Sequence, residues 1–333
     1  MRLEGGLAPA MQEDREGIVK GYTASTRWPT LLGLAAILLW SSSVAFGRSL
    51  TEQLGPLTSA ALIYSLGGIL GWGYWLVSGS TPRLSTFDWR YLLGCGGLFL
   101  VYMLSFYLGL GMARNRAQAL GVGLMNYLWP MLTLLFSIVL LKIRANMLFI
   151  PGMLAGALGV LLVTTPGDAA TWASFRQNVF QNAAPYMLGI LAAVSWGLYS
   201  ALSRKWGGEA EGGAVPLFML LTGVILGLAR VLVAEETHWT GRALLELAYM
   251  AVGPNLAYMF WERAMQKGDI ILVASCSYFT PLLSTLISSL YLGVLLGWQL
   301  WLGCGLIITG ALISNLSVRR RSPADQGGAG RAT

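Results

Sequence analysis

Apolar runs of about twenty residues recur along the whole chain, and this pattern constrains the fold more than any other feature. A helix needs about 20 mostly apolar residues to cross the hydrocarbon core of a bilayer. Only 11% of the 333 residues are charged, whereas soluble domains average about 25%. The runs are continuous and lack the in–out alternation of membrane-barrel strands. The sequence therefore predicts an all-α integral membrane protein.

The apolar runs predict ten transmembrane helices. The ten predicted spans are residues 29–47, 57–77, 91–112, 117–140, 146–164, 185–203, 215–233, 243–263, 269–291 and 298–317. Residues 1–28 form a polar N-terminal tail without the apolar centre of a cleavable signal. Residues 318–333 form a charged, glycine-rich tail that is predicted to be disordered. The longest internal connection, 165–184, is too short for a soluble domain.

The distribution of positive charge predicts the orientation in the membrane. If the N-terminus is cytoplasmic, 16 of the 22 Lys and Arg residues fall on the cytoplasmic side and 6 on the other side. The positive-inside rule therefore predicts that both termini are cytoplasmic and that the 165–184 loop is extracytoplasmic. This distribution also accounts for the net charge of +7 without a nucleic-acid partner. The three cysteines lie within spans and lack CxxC spacing, which argues against a disulfide or metal site.

The chain repeats itself, first at an offset of 156 residues and then at an offset of 151. The first offset pairs Trp40 with Trp196. The second pairs Asn126 with Ser277, Tyr127 with Tyr278, Pro130 with Pro281, Gly152 with Gly303 and Gly159 with Gly310. Each half, 29–164 and 185–317, has five predicted spans, and because five is odd the second half enters the membrane from the opposite side. Inverted repeats are typical of secondary transporters, whose substrate site lies near the midplane between the halves.

Proline interrupts spans four and nine at matching positions. Pro130 and Pro281 lack an N–H group, so each predicts a kink that frees the carbonyl four residues earlier, on Asn126 and Ser277. Irregular backbone at membrane depth is expected to face protein or a water-filled cavity. Polar residues share the face of each proline: Asn126, Thr133 and Ser137 in span four, and Ser277, Ser284 and Ser288 in span nine. Small polar residues also hold membrane helices together, so cavity lining and helix packing both remain open for these stripes.

Aromatic residues near the middle of spans are candidates for substrate contact. Tryptophan is enriched at the membrane interfaces, so Trp40 and Trp196, near the centres of spans one and six, need another explanation. Either they form a pocket wall that stacks on an aromatic or apolar substrate, or they fill a helix interface. Mid-span tyrosines likewise either line a cavity or bond to a neighbouring helix.

Ionisable residues are scarce at membrane depth. Proton-driven carriers usually place a charged residue inside the membrane. The closest carboxylate here, Glu262, is predicted near a cytoplasmic helix end, and His238 in an outer loop. The sequence therefore favours a facilitator driven by the substrate gradient over proton coupling through a buried carboxylate.

Four segments resemble known transporters: "GLAAILLWSSS", "ALIYSLGGIL", "GVGLMNYLWP" and "SYFTPLLS". They are similar to aromatic amino acid exporters of the EamA-type drug/metabolite transporter family, and the resemblance extends over residues 28–318. It implies ten helices in two inverted five-helix halves, cytoplasmic termini, export of amino acids, and a cavity built mainly from spans one to four and six to nine. Substrates vary within the superfamily, so "amino acid" is a firmer expectation than "aromatic".

We therefore expect an amino acid exporter of the bacterial inner (cytoplasmic) membrane that works by alternating access. The candidate substrate-binding residues are Trp40, Ser41, Ser42, Tyr64, Tyr102, Asn126, Tyr127, Trp129, Trp196, Tyr199, Tyr258 and Tyr278. Asn126 and the carbonyls freed by Pro130 and Pro281 are expected to receive a substrate ammonium group. The expected partners are the small-molecule substrate and membrane lipids, with no cofactor, nucleic acid or obligate protein partner.

Three alternatives differ from this expectation. An exporter of cationic drugs or other small metabolites is one, because aromatic faces attract cations. A channel is the second, and it predicts flux that does not saturate and shows no counterflow. An intramembrane enzyme is the third, and it needs a nucleophile–base pair or a metal cluster at membrane depth.

Overall fold

The computed structural model of the chain describes residues 7–79, 84–114, 122–123, 125–164, 177, 180–207, 213–292 and 298–318. Apart from one isolated β-bridge between Ala145 and Val318, these residues form helices and turns, which confirms the all-α class. The helices are α1 (Leu7–Leu54), α2 (Pro56–Ser78), α3 (Gly96–Gly111), α4 (Trp129–Leu140), α5 (Phe149–Thr164), α6 (Ala184–Trp206), α7 (Val215–Leu232), α8 (Gly241–Lys267), α9 (Ile270–Cys276), α10 (Phe279–Leu292) and α11 (Trp298–Ser317). A π-helical turn, Tyr91–Cys95, leads directly into α3.

Within the described residues, five helical stretches are long and apolar enough to cross a membrane. They are Pro56–Ser78, Tyr91–Gly111, Ala184–Trp206, Val215–Leu232 and Gly241–Lys267. Shorter apolar helices cover Trp129–Leu140, Phe149–Leu162, Ile270–Ser284 and Trp301–Ser317. All of these lie within or next to predicted spans, as a multi-pass membrane protein requires. The number ten remains a prediction.

The first helix is much longer than the first predicted span. It begins at Leu7, within the predicted polar tail 1–28, and continues to Leu54 with Pro29 inside it. The segment before Pro29 contains Ala, Met, Gln, Glu, Lys and Arg, which are strong helix formers. The polar tail is therefore helical over most of its length. Residues 319–333 of the predicted C-terminal tail lie outside the described residues.

The contacts between helices have the symmetry of a repeated structure. α1 packs along α8, and the equivalent helices of the other half, α6 and α3, pack in the same way. α1 also packs on α10, as α6 does on α4, while α2 with α7 and α5 with α11 are pairs of equivalent helices. Exchanging the two halves maps this set of pairs onto itself. We call α1, α8, α9 and α10 the first bundle, and α3, α4 and α6 the second bundle.

Spans four and nine are both broken shortly before their matching prolines, Pro130 and Pro281. α9 ends at Cys276, two residues form a turn, and α10 begins at Phe279. In the first half, Tyr127 and Leu128 form the turn before α4 begins at Trp129. Each proline thus lies in the first turn of the restarted helix, where backbone N–H groups have no intrahelical partner and a missing one costs little.

One expectation about these breaks was wrong. The carbonyl of Ser277 is not left free, because the backbone N–H of Thr280 donates to it at 3.0 Å. The chain turns more tightly here than in an α-helix, with a hydrogen bond between residues three apart, so the carbonyl finds a partner before the proline is reached.

Glycines allow α5 and α11 to approach closely. A Cβ atom added at Gly310 would lie 2.6 Å from the carbonyl oxygen of Gly152, and one added at Gly159 would lie 2.8 Å from the carbonyl oxygen of Gly303. Only glycine fits such backbone-to-backbone contacts. Because Gly152 pairs with Gly303 and Gly159 with Gly310 in the sequence repeat, the two contacts are equivalent.

Candidate substrate site

Aromatic side chains from four helices meet around Trp40 of α1. Its ring centroid lies 6.2 Å from that of Trp129 on α4 and 5.5 Å from that of Trp196 on α6. On α8, Tyr258 and Trp261 are 5.1 and 5.3 Å away. The rings meet edge to face or tilted, as aromatic quadrupoles favour. We call these five residues the aromatic cluster.

Tyrosines from α2, α3 and α6 extend this cluster. The ring of Trp196 lies 4.8 Å from that of Tyr102 and 5.0 Å from that of Tyr199. The hydroxyls of Tyr64 and Tyr258 are hydrogen-bonded at 3.1 Å. The structure therefore brings seven of the predicted residues into one contiguous group.

Two buried polar atoms at this group, one hydrogen-bond donor and one acceptor, have no hydrogen-bond partner among the described residues. Nε1 of Trp40 can only donate, and Oδ1 of Asn126 can only accept. Asn126 is buried three residues before Trp129, and its side chain lies near the hydroxyl of Tyr102. An unpartnered buried polar group costs about 1–3 kcal/mol. A ligand that offers one acceptor and one donor would remove this cost at both atoms.

The two predicted serines already have protein partners. The hydroxyl of Ser41 donates to the carbonyl of Ile37 at 2.6 Å and lies 3.4 Å from the carbonyl of Thr280 on α10. The hydroxyl of Ser42 donates to a backbone carbonyl three residues earlier and pairs with the hydroxyl of Tyr249 on α8. Such bonding within a helix is common for serine, so a substrate role for Ser41 and Ser42 remains a prediction.

Tyr127 and Tyr278, which occupy the two helix breaks, have different surroundings. The hydroxyl of Tyr278 donates to the carbonyl of Met153 at 3.2 Å, and its ring covers Gly156. Tyr278 therefore packs against α5. Tyr127 is half-buried, and its side chain lies near Ser284 of α10.

The polar stripes of spans four and nine face the protein interior. Asn126, Thr133, Ser137, Ser277 and Ser284 are all buried, whereas the side chain of Ser288 lies outside the described residues. The hydroxyls of Thr133 and Ser137 have no hydrogen-bond partner among the described residues, and both side chains are fully buried, so cavity lining and helix packing both remain open for the first stripe.

Glu262 is buried, although it lies only five residues before the end of α8. The carboxylate accepts hydrogen bonds at 2.5 Å from the hydroxyl of Tyr91 and from the side-chain amide of Gln266. Its other oxygen accepts a hydrogen bond from the hydroxyl of Tyr199. A span of this protein therefore does contain a buried carboxylate. A scarcity of buried carboxylates therefore no longer favours a facilitator over proton coupling.

Sequence reasoning missed Trp261, which completes the aromatic cluster. Its Nε1 donates to the hydroxyl of Ser200 on α6 at 3.0 Å. Phe99, also missed, lies 6.1 Å from the ring of Trp196 and 5.4 Å from that of Tyr258. The run Trp261–Glu262 was the available signal, because a charged residue next to Trp inside an apolar helix indicates a position turned toward protein rather than lipid.

Comparison with known proteins relates this arrangement to transporters. The sequence pattern of the EamA-like transporter family matches residues 27–165 and again residues 183–316. Three relatives are each named aromatic amino acid exporter YddG. The chain is 34% identical to the protein of Salmonella typhimurium over 293 residues, which is 88% of this chain and 98% of the relative. It is 33% identical to that of Escherichia coli over 292 residues, with coverages of 87% and 98%.

The relative from Ancylobacter novellus is 31% identical over 297 residues and is covered to 98% of its length, with 87% of this chain. A solved crystal structure that is 29% identical superposes with a TM-score of 0.73 and is matched over 99% of its chain and 88% of this one. The two matches to the family pattern and the identity over nearly the whole length of these relatives show that this chain belongs to the EamA-like transporter family.

Proposed function

We propose that this protein exports amino acids, including aromatic ones, across the bacterial inner membrane. The observation that carries the proposal is the aromatic cluster with an unpartnered donor on Trp40 and an unpartnered acceptor on Asn126. The names of the three relatives, aromatic amino acid exporter, agree with this substrate class.

The chemistry of an amino acid matches the groups at the cluster. The ammonium group would donate to Oδ1 of Asn126, and the carboxylate would accept from Nε1 of Trp40. The substrate side chain would then lie among the rings of the cluster. Each aromatic pair contributes about 0.5–1.5 kcal/mol beyond the burial of its area, so large aromatic substrates are favoured over small ones.

Alternating access supplies the route across the membrane. The proposed halves are residues 29–164 and 185–317, connected by an extracytoplasmic loop at 165–184, with the tails 1–28 and 318–333 in the cytoplasm. The equivalent pairing of α1 with α8 and of α6 with α3 supports two halves that exchange conformations. The first and second bundles would then tilt relative to each other about the cluster between them.

The residues of the candidate site are suited to binding a substrate without changing it covalently. Indole and phenol rings, one amide and a few hydroxyls bind and shield a substrate, but they do not form the nucleophile–base pair that covalent catalysis needs. The protein is therefore proposed to be a transporter and not an enzyme.

Counterflow in proteoliposomes tests the proposal. Vesicles loaded with one unlabelled amino acid should accumulate labelled phenylalanine or tryptophan, and the flux should saturate. Movement of a cationic dye without movement of amino acids would favour the drug-export alternative. Flux that neither saturates nor shows counterflow would indicate a channel.

The Trp40→Phe substitution tests the carboxylate contact, because it keeps an aromatic ring and removes the N–H group. A hydrogen bond to a charged group contributes about 1.5–3 kcal/mol, so we expect affinity for phenylalanine to fall about tenfold or more. Phenethylamine, which lacks the carboxylate, should bind both proteins equally. Trp239→Phe, at an exposed site, is the matched control. Equal losses for both ligands would show that Trp40 only fills space.

A further inference from the structure

A polar junction connects the two bundles at the inner end of the molecule, where α3 begins and α8 ends. Glu262 of α8 is its centre, and Tyr91 and Tyr199 donate to its two carboxylate oxygens. Tyr91 begins the π-helical turn that leads directly into α3, and Tyr199 lies on α6. Two of the three hydrogen bonds to this buried carboxylate therefore come from the second bundle, while the third, from Gln266, comes from α8 itself.

Neighbouring contacts lie across the same boundary. The hydroxyl of Tyr91 also accepts a hydrogen bond at 2.9 Å from the backbone N–H of Ala214, just before α7. The guanidinium of Arg204 at the end of α6 donates to the carbonyl of Gly268, just after α8. The end of α8 is thus hydrogen-bonded to Tyr91 before α3 and to Tyr199 and Arg204 of α6, while Tyr91 itself is held by the segment before α7.

A carboxylate in this position opposes separation of the bundles. Glu262 is 1% exposed, and a buried charge needs hydrogen bonds from its surroundings because burial removes its hydration. Hydrogen bonds to an ionised group are roughly twice as strong as neutral ones. Moving the second bundle away would remove the two tyrosine donors together.

The second buried carboxylate of α8 provides a contrast. Glu246 is 5% exposed and lies near the outer end. It accepts hydrogen bonds from Gln53 of α1 at 3.0 Å and from Arg242 of α8 at 2.8 Å. Both of these partners belong to the first bundle. Glu246 therefore joins helices within one bundle, whereas Glu262 joins the two bundles.

We infer that Glu262 is the residue that holds the inner end of the transporter closed. Its bonds to Tyr91 and Tyr199 stabilise the state in which the bundles meet at the cytoplasmic side, and they break when this side opens to admit substrate. Glu262 is a positioning residue, since it acts on the bundles and not on the substrate. The inference rests on the proposed alternating-access function.

Cys95 is a native reporter for this opening. It is fully buried in the π-helical turn that begins with Tyr91. In a background with Cys276→Ala and Cys304→Ala, the rate at which a bulky, charged maleimide labels Cys95 in the purified protein measures how often the inner end opens. We expect Glu262→Gln and Tyr199→Phe each to raise this rate about tenfold. Glu246→Gln is the matched control and should change it less than about twofold.

A double variant, Tyr199→Phe with Glu262→Gln, tests whether both residues act through one contact. It should label more slowly than the product of the two single effects predicts, because both substitutions act on the same hydrogen bond between Tyr199 and residue 262. In counterflow, Glu262→Gln should also raise the half-saturating substrate concentration at the outer side and lower it at the inner side, since the inward-open state becomes more populated.

Unchanged labelling in both single variants, or an equal rise in Glu246→Gln, would overturn the inference. A rise that accompanies a collapse of the melting temperature would do the same, because it would reflect general unfolding. Tyr199→Phe decides the matter if Glu262→Gln fails to fold, since it removes one hydroxyl only. Labelling of Cys95 requires no substrate, so it tests the junction even if amino acids prove not to be the cargo.

Discussion

The crossing of α5 and α11 permits a prediction whose size follows from the geometry. A Cβ atom at Gly310 would lie 2.6 Å from the carbonyl oxygen of Gly152 and 2.8 Å from Cα of Gly156, and both of these are backbone atoms. Ordinary carbon–oxygen contacts are about 3.3 Å or longer, and the backbone nitrogen of Gly156 lies closer still, so Gly310→Ala requires the helices to separate by at least about 0.7 Å. Such overpacking costs about 1–3 kcal/mol, partly because neighbouring contacts along the helix pair are lost.

Gly305 on the same helix is the matched control. A Cβ atom added there meets nothing within 4 Å. Both substitutions gain the same helix propensity, about 1 kcal/mol, so the difference between them isolates the overpacking cost. We expect Gly310→Ala to unfold about 1–3 kcal/mol more easily than Gly305→Ala, which should appear as a melting temperature several degrees lower in detergent. Equal melting temperatures would refute the close backbone contact.

Two further predictions concern the breaks and the topology. Pro130→Ala and Pro281→Ala restore a backbone N–H group that can join the helix to the preceding turn, so both variants should remain folded by size-exclusion chromatography yet lose most counterflow. The loss should be smaller for Pro281→Ala, because Thr280 already bonds to the carbonyl of Ser277; normal transport in both would make the breaks mere packing features. In a cysteine-free background, a cysteine placed in the 165–184 loop should react with an impermeant thiol reagent added outside intact cells, and a cysteine in either tail should not. The reverse labelling pattern would contradict the predicted orientation.

Local constraints made the helix breaks and part of the site predictable. Proline restricts its own backbone, so Pro130 and Pro281 indicated interrupted helices from sequence alone. The repeat offsets then matched Trp40 with Trp196, and the structure places these two rings 5.5 Å apart. The helix breaks follow from the chemistry of proline itself, and the tryptophan pair follows from the match between the two repeats.

The missed features depend on contacts between distant segments. The sequence places Glu262 near a cytoplasmic helix end, because the eighth predicted span ends at residue 263. In the structure, Tyr91 and Tyr199 cover this end of α8, and neither lies near Glu262 in the sequence. The prediction of a free carbonyl at Ser277 was wrong because the chain forms a tighter turn there. A regular and a tighter turn differ by only one hydrogen bond, and the sequence does not distinguish them.

The four glycines of the α5–α11 crossing have a consequence for the proposed transport cycle. When inverted halves exchange conformations, every contact becomes its repeat mate. The contact of Gly310 with Gly152 then becomes the contact of Gly159 with Gly303, which is already present. In the proposed cycle this crossing would therefore be a stationary pivot, and its energy would cancel from the balance between outward-open and inward-open states. A substitution there should weaken both states alike and leave the sidedness of substrate affinity unchanged.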